Sequence, residues 1–445
     1  MTEKGSVGNQ AAAFLRSSLD IAVNGLKRLD ENTPFWSEAI DEYASIQDKL
    51  VVESLLLVLI LMRFKERSSG VQQRLQEICE FCAPQVYTPR NRMLLGRYPH
   101  TAVTFGISHL ALSRMGYGDP AFGRTLEAIF RSQQAYGIER LPYRVMEVRW
   151  LHASLLGDRP AQFDDLLPAS MLQVQAHPLR MSISDSYALT HALMYVTDFG
   201  DHPPPVDLNI SRLESIIDQL LAVQIVNENL DVLGELLMSV MFLGRPWSVR
   251  ARFAWRFLSE TWGQYGFLPS PSFETPEYAR LNAKDAQAYA FKHTYHTLYV
   301  GVILCSLVLR RPEALTITPV DHPESEYMPL NRVIQRMDAC PSLRGLSSCQ
   351  WTKVISGLSI ERAALSNLLF DGLAAHAAQQ YDLLTLCGLI EGLSPRERSA
   401  SDMPREIETF LFTQWDSAGL PPEIADRIAP TVIGRHASAQ AIAVD

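Results

Sequence analysis

Five stretches of this chain are apolar on every side of a helical projection and break that character with only one or two ionisable groups. They are residues 51–62 with Glu53, 101–112 with His109, 186–197 with His191, 231–242 with Glu235, and 294–309 with His296. A helix that lacks a polar face cannot lie on a surface, so other helices must surround it. Except between the second and third, these stretches recur about every 40 to 60 residues, with amphipathic helices generally between them. In one such helix, 211–222, Leu213, Ile216, Ile217, Leu220 and Leu221 make a single apolar stripe. A ring of helical hairpins, with inner helices covered by outer ones, produces this pattern. No segment shows the alternation of a strand and hairpin pair, so the chain is expected to be all-α. The leading architecture is an α/α toroid of five or six hairpins, and an open α-solenoid is the alternative.

The expected organisation is a flexible N-terminus over 1–10 and a toroid-like domain over 11–312. A linker or long loop follows over 313–329, where Pro319, Pro323 and Pro329 interrupt a polar stretch. A C-terminal helical region over 330–436 would serve as a cap, subdomain or dimerisation element, and a flexible tail spans 437–445. Periodicity places helices, among others, at 36–67, 163–175, 285–309 and 330–337.

With 445 residues, 47% hydrophobic and 20% charged, the composition is that of a globular chain with a substantial core. A formal charge of -9 argues against a general nucleic-acid surface. The first ten residues lack the apolar segment of a secretory signal, and the longest early apolar run, 55–62, is too short to cross a bilayer. A cytoplasmic protein with no membrane or nucleic-acid partner is the expectation, and a homo-oligomer is compatible with it. Cys79-x-x-Cys82 has no second pair at zinc-site spacing and lacks the strand and helix context of a redox motif. Gly116-x-Gly118 follows a helix rather than a strand, and there is neither a phosphate loop nor a nucleophile elbow.

The candidate site residues are the titratable groups stranded in apolar helices. His191 could be satisfied by Tyr195 one turn on or by a backbone carbonyl, which makes a hydrogen-bonded core histidine the plainer reading. His293 and His296, three apart on one helical face, could present two nitrogens to a divalent ion with a mixed nitrogen and oxygen set. They would sit at the mouth of a helix whose next 13 residues carry no charge. Glu235 and Asp198 are the carboxylates available to orient these imidazoles, while Glu53 reads as the exposed edge of a long helix. No other cofactor is indicated.

The segment Thr190-His191 to Thr197-Asp198-Phe199-Gly200, together with Tyr295-His296-Thr297, resembles a poorly characterised bacterial family of helical proteins associated with specialised metabolism. The resemblance covers mainly residues 10–310 and brings no catalytic assignments with it. The architecture is similar to toroidal lanthipeptide and terpene cyclases, but the chain has no Cys-Cys-His zinc set, and Asp164-Asp165 lacks the full Asp-x-Asp-Asp pattern. The expected function is therefore an enzyme acting on a small natural-product intermediate. His296, His191, His293, Glu235 and Asp198 would supply acid-base or metal-assisted chemistry, including a cyclisation. A non-catalytic helical-repeat binding or scaffold protein with structural histidines is the alternative. Convergence of the inner ionisable groups on one accessible place would favour the enzyme.

Overall fold

The structure, a computed structural model, describes residues 3–29, 36–40, 43–63, 69–157, 161–312, 362–391 and 402–416, with a few isolated positions between 393 and 426. The expected linker at 313–329, the helix at 330–337 and the tail at 437–445 lie outside the described residues. Among the described residues the chain is all-α, with 17 helices and one isolated bridge, Ala39 to Ser45. In chain order these are α1 (Glu3–Lys27), α2 (Ile46–Leu61), α3 (Ser69–Val86), α4 (Pro89–Arg97), α5 (Ala102–Arg114) and α6 (Pro120–Arg131). They continue as α7 (Pro142–Leu156), α8 (Ile183–Val196), α9 (Ile210–Val226), α10 (Leu230–Phe242), α11 (Val249–Tyr265) and α12 (Thr275–Tyr278). The last five are α13 (Ala283–Lys292), α14 (Tyr295–Arg310), α15 (Arg362–Gln379), α16 (Leu383–Ile390) and α17 (Met403–Asp416).

Local chemistry sets the boundaries. Ser45 and Asp48 form a capping box that starts α2, so the helix expected from residue 36 begins ten residues later. Ser182 and Asp185 do the same for α8. The expected helix at 163–175 is absent. Only the single turn Leu167–Ala169 forms, because Pro168 has no amide hydrogen to donate and its ring would clash with the preceding turn. The expected helix at 285–309 is broken at His293 and Thr294, where the His293 carbonyl accepts from the Ser270 amide instead of continuing the helix. Residues 3–10, expected to be flexible, are the first turns of α1.

The apolar helices lie inside. Every residue of α10 is buried, as is every residue of α14 from Thr297 to Val308. The inner helices follow one another as neighbours: α2 on α5, α5 on α7, α7 on α8, α8 on α10, α10 on α14, and α14 back on α2. Outside them, α1 covers α14, α3 covers α2 and α5, α6 covers α5 and α7, and α9 and α11 cover α10. The stripe expected on α9 is buried as read, and residues 222–226 are buried as well because α15 packs on the same helix. Helix α15 approaches so closely that a Cβ on Gly372 would lie 2.6 Å from the Ala222 carbonyl oxygen. Arg250 pairs with the buried Asp371 at 2.8 Å, which ties α15 to α11.

The inner helices run parallel, as side-chain pairs that climb together require. On α7 and α8 the Tyr143 and His191 rings meet at 5.6 Å, and Tyr195 donates to Glu147 at 3.0 Å. On α8 and α10 Tyr187 donates to Asp231 and Thr190 to Glu235, each at 2.5 Å. On α10 and α14 Asp231 meets His296, and Arg311 donates to the Met241 carbonyl at 2.9 Å.

His109 on α5 stays outside this convergence, bonded to Tyr87 (3.0 Å) and Ser113 (3.1 Å) and wedged beside Phe122. Burial pushes its pKa below the usual imidazole value. A depressed imidazole contributes stability above its unfolded pKa of about 6.5 and loses it as the pH falls through that value. His109→Gln should therefore be less stable than the parent at pH 7.5, with the gap between their urea midpoints narrowing toward pH 5. A gap that widens on acidification contradicts this placement.

Candidate active site

Four inner helices bring five ionisable side chains together: Glu53 from α2, His191 from α8, Asp231 and Glu235 from α10, and His296 from α14. The His296 ring is held from both sides. Its Nδ1 lies 2.7 Å from Glu53 Oε2, and its Nε2 lies 3.3 Å from Asp231 Oδ1. His191 Nε2 lies 3.4 Å from Glu235 Oε1. Asp231 and Glu235 are deeply placed, with side chains 6% and 2% exposed, whereas the His296, His191 and Glu53 side chains keep 35%, 21% and 18% of their surface. Asp231 and Glu235 thus form the floor, and the two imidazoles with Glu53 form the more accessible part.

Electrostatics follow from this arrangement. Burial opposes a charge on His296, but Asp231 and Glu53 outweigh it and hold the imidazole pKa well above its ordinary value. Burial likewise opposes ionisation of Asp231 and Glu53, yet His296 holds both below the usual carboxylate range, with Lys49 assisting at Glu53. Burial and the neighbouring Asp231 push the Tyr187 hydroxyl upward, so it stays protonated and donates to that carboxylate. Two buried atoms in the cluster have no hydrogen-bond partner, Asp231 Oδ1 and His191 Nδ1. Asp231, Glu235 and His296 each offer one atom within 4.8 Å of the others, so these three could hold a metal ion.

The structure thus brings together His296, His191 and Glu235 from the residues read in the sequence, and it separates His293 and Asp198 from them. His293 closes the C-terminal end of α13, bonds Ser272 through Nδ1 at 2.9 Å and stacks on Tyr289 at 4.4 Å. The break at Thr294 removes the shared helical face that would let it act with His296. Asp198 lies beyond the end of α8 in a left-handed turn (φ 46°). It accepts from Trp150 Nε1 at 2.6 Å and pairs with Arg63 at 2.9 Å. Nearby, Arg310 pairs with Asp201 and Arg311 caps the Gly200 carbonyl. This is the far, C-terminal end of the parallel helices, and its ion pairs fasten that end.

Glu53, read as an exposed edge, is instead the hydrogen-bond partner of His296. Asp231 and Tyr187 were not singled out, although a signal exists: Tyr187 with His191 and Asp231 with Glu235 are both i, i+4 pairs at the starts of inner helices. Cavities of about 310 Å³ beside Trp36 and Phe291, and of about 380 Å³ beside Asp48 and Arg90, are lined by other residues. No helix among the described residues is long and apolar enough to cross a membrane.

Fold and site together define an all-α protein with a carboxylate and imidazole cluster contributed by the first turns of α10 and α14 and the middles of α2 and α8. The chain belongs to the DUF6895 family, a domain of unknown function, whose family model matches residues 15–306. That span begins in α1, ends in α14 and contains all five clustered residues, while α15 to α17 lie beyond it. No curated protein and no solved structure matches the chain.

Proposed function

We propose that this protein is an enzyme that moves a proton on a small molecule bound over the imidazoles of an α/α toroid. The closed order of inner-helix neighbours supports the toroid over an open solenoid. The observation that carries the catalytic reading is the pairing of buried carboxylates with partly accessible imidazoles drawn from four helices. A cluster that served packing alone would be expected to satisfy all of its polar atoms, whereas His191 Nδ1 and Asp231 Oδ1 are left without hydrogen bonds. In this reading His191, oriented by Glu235, takes or gives the proton. The positive centre at His296 stabilises the negative charge that develops on the substrate. A proton transfer of this kind can initiate a cyclisation, and the resemblance to proteins of specialised metabolism makes a natural-product intermediate the substrate class to test first.

The test is a small-molecule extract from the producing cells, incubated with protein in D2O and followed by mass spectrometry. The parent should convert a compound or exchange its hydrogen for deuterium, and His191→Asn and His296→Asn should each slow that change by at least about 100-fold. A parent that changes nothing in the extract, or variants as active as the parent, would overturn the reading.

A further inference from the structure

We propose that Asp231, Glu235 and His296 form the binding site of one divalent transition-metal ion of the Mn2+, Fe2+ or Zn2+ type. The inference draws on the same side chains as the proposed function, with the ion taking the place of the His296 Nε2 proton as the positive centre, and rests on how their remaining atoms are held. Each of the three has its outer atom fixed by a different neighbour. Tyr187 donates to Asp231 Oδ2 at 2.5 Å, Thr190 donates to Glu235 Oε2 at 2.5 Å, and Glu53 accepts from His296 Nδ1 at 2.7 Å. The inner atoms are Asp231 Oδ1 and His296 Nε2, which face each other, and Glu235 Oε1, whose other neighbour is His191 Nε2 at 3.4 Å. A metal-bound histidine almost always donates its second ring N–H to a carboxylate or carbonyl, and bound carboxylates are themselves hydrogen-bonded. All three outer contacts follow that rule.

The spacing is also that of a coordination shell. Atoms bound to one ion at about 2.1 Å lie about 3.0–4.2 Å from each other. Asp231 Oδ1 and His296 Nε2 stand 3.3 Å apart, and the three ligand atoms fall within 4.8 Å of one another, so small side-chain rotations close the site. Asp231 Oδ1 is buried and accepts no hydrogen bond even with His296 Nε2 at that distance. An ion supplies the missing partner. It would also balance the acidic floor, where three carboxyl groups face two imidazoles. Two carboxylates and one imidazole suit a borderline ion with both oxygen and nitrogen affinity better than Mg2+ or Ca2+, which prefer all-oxygen sets. His191, 3.4 Å from Glu235 Oε1, stands beside the site as a fourth donor or a neighbouring base.

The experiment uses the full chain, stripped with a chelator and titrated with Mn2+ by electron paramagnetic resonance, and separately with Zn2+ by equilibrium dialysis. One ion per chain is expected. Asp231→Asn and Glu235→Gln, near-isosteric and checked for folding by circular dichroism, should each weaken binding about 100-fold. Asp165→Asn, at an exposed pair with Arg149, should leave it unchanged. Independently of any variant, bound Mn2+ should broaden the ring-proton resonances of His296 and leave those of His109 sharp. Failure to bind either ion, equal binding by the two variants, or a His296 signal that stays sharp overturns the proposal. Turnover by a chain that binds neither ion overturns the ion site and leaves the acid-base reading standing, whereas ion binding without turnover does the reverse.

Discussion

His296→Ala is expected to destabilise the metal-free protein by about 2 kcal/mol, read as a drop in its urea unfolding midpoint. Removing one member of a fully buried ion pair costs about 3–5 kcal/mol, because the partner is left charged and unsolvated. The estimate is reduced here because the His296 side chain keeps 35% of its surface. Two carboxyl groups, Glu53 and Asp231, lose their shared partner at once. The origin of the effect is separable by a mutant cycle. In a Glu53→Gln, Asp231→Asn background the same truncation should cost less than about 1 kcal/mol, because no unpaired charge is created. An equal cost in both backgrounds would assign the loss to packing and remove the electrostatic account of the cluster.

The second large effect concerns the contact that sets the distance between α10 and α14. A Cβ on Gly234 would lie 2.6 Å from Val300 Cγ1, so any larger residue requires Val300 to shift or the two helices to separate one turn beyond Asp231 and His296. Gly234→Leu is expected to cost about 3 kcal/mol and to abolish ion binding even in the fraction that remains folded, because the helices carrying the three ligands are forced apart. Gly234→Ala should cost less, and Val300→Ala should restore most of that loss by opening the space the new methyl needs. Thermal unfolding of the four proteins decides the matter. A Gly234→Leu variant as stable as the parent would show that the helices can separate freely.

The helical class was legible because an apolar helix in water has no alternative to being covered, and periodicity exposes that requirement directly. Boundaries were less legible where a few atoms decide them. The Ser45 and Asp48 capping box and the Thr88-Pro89 start of α4 were present in the sequence as short signals within longer periodic stretches. The break after His293 carries no glycine or proline and depends on a carbonyl captured by Ser270 from elsewhere in the chain. The site was half legible for the same reason. His191, Glu235 and His296 stand out as charges in apolar helices, but Glu53 has its meaning only through a partner 243 residues away. Asp198 continues the helical spacing of His191 past the residue where α8 stops, and the turn there carries it to Trp150 and Arg63 instead of the cluster.

The closed order of inner helices has a consequence for how the protein comes into being. Glu53 and His296 are separated by 243 residues, and Asp231 with Glu235 lies between them in sequence. Contacts of such long range are formed late, after the shorter loops have closed. No partially folded chain in which α14 is still undocked can possess the site, however well its other helices have formed. The site is therefore complete only once α14 has docked on α2 and α10, and acquisition of the proposed ion would both report that docking and make it harder to reverse.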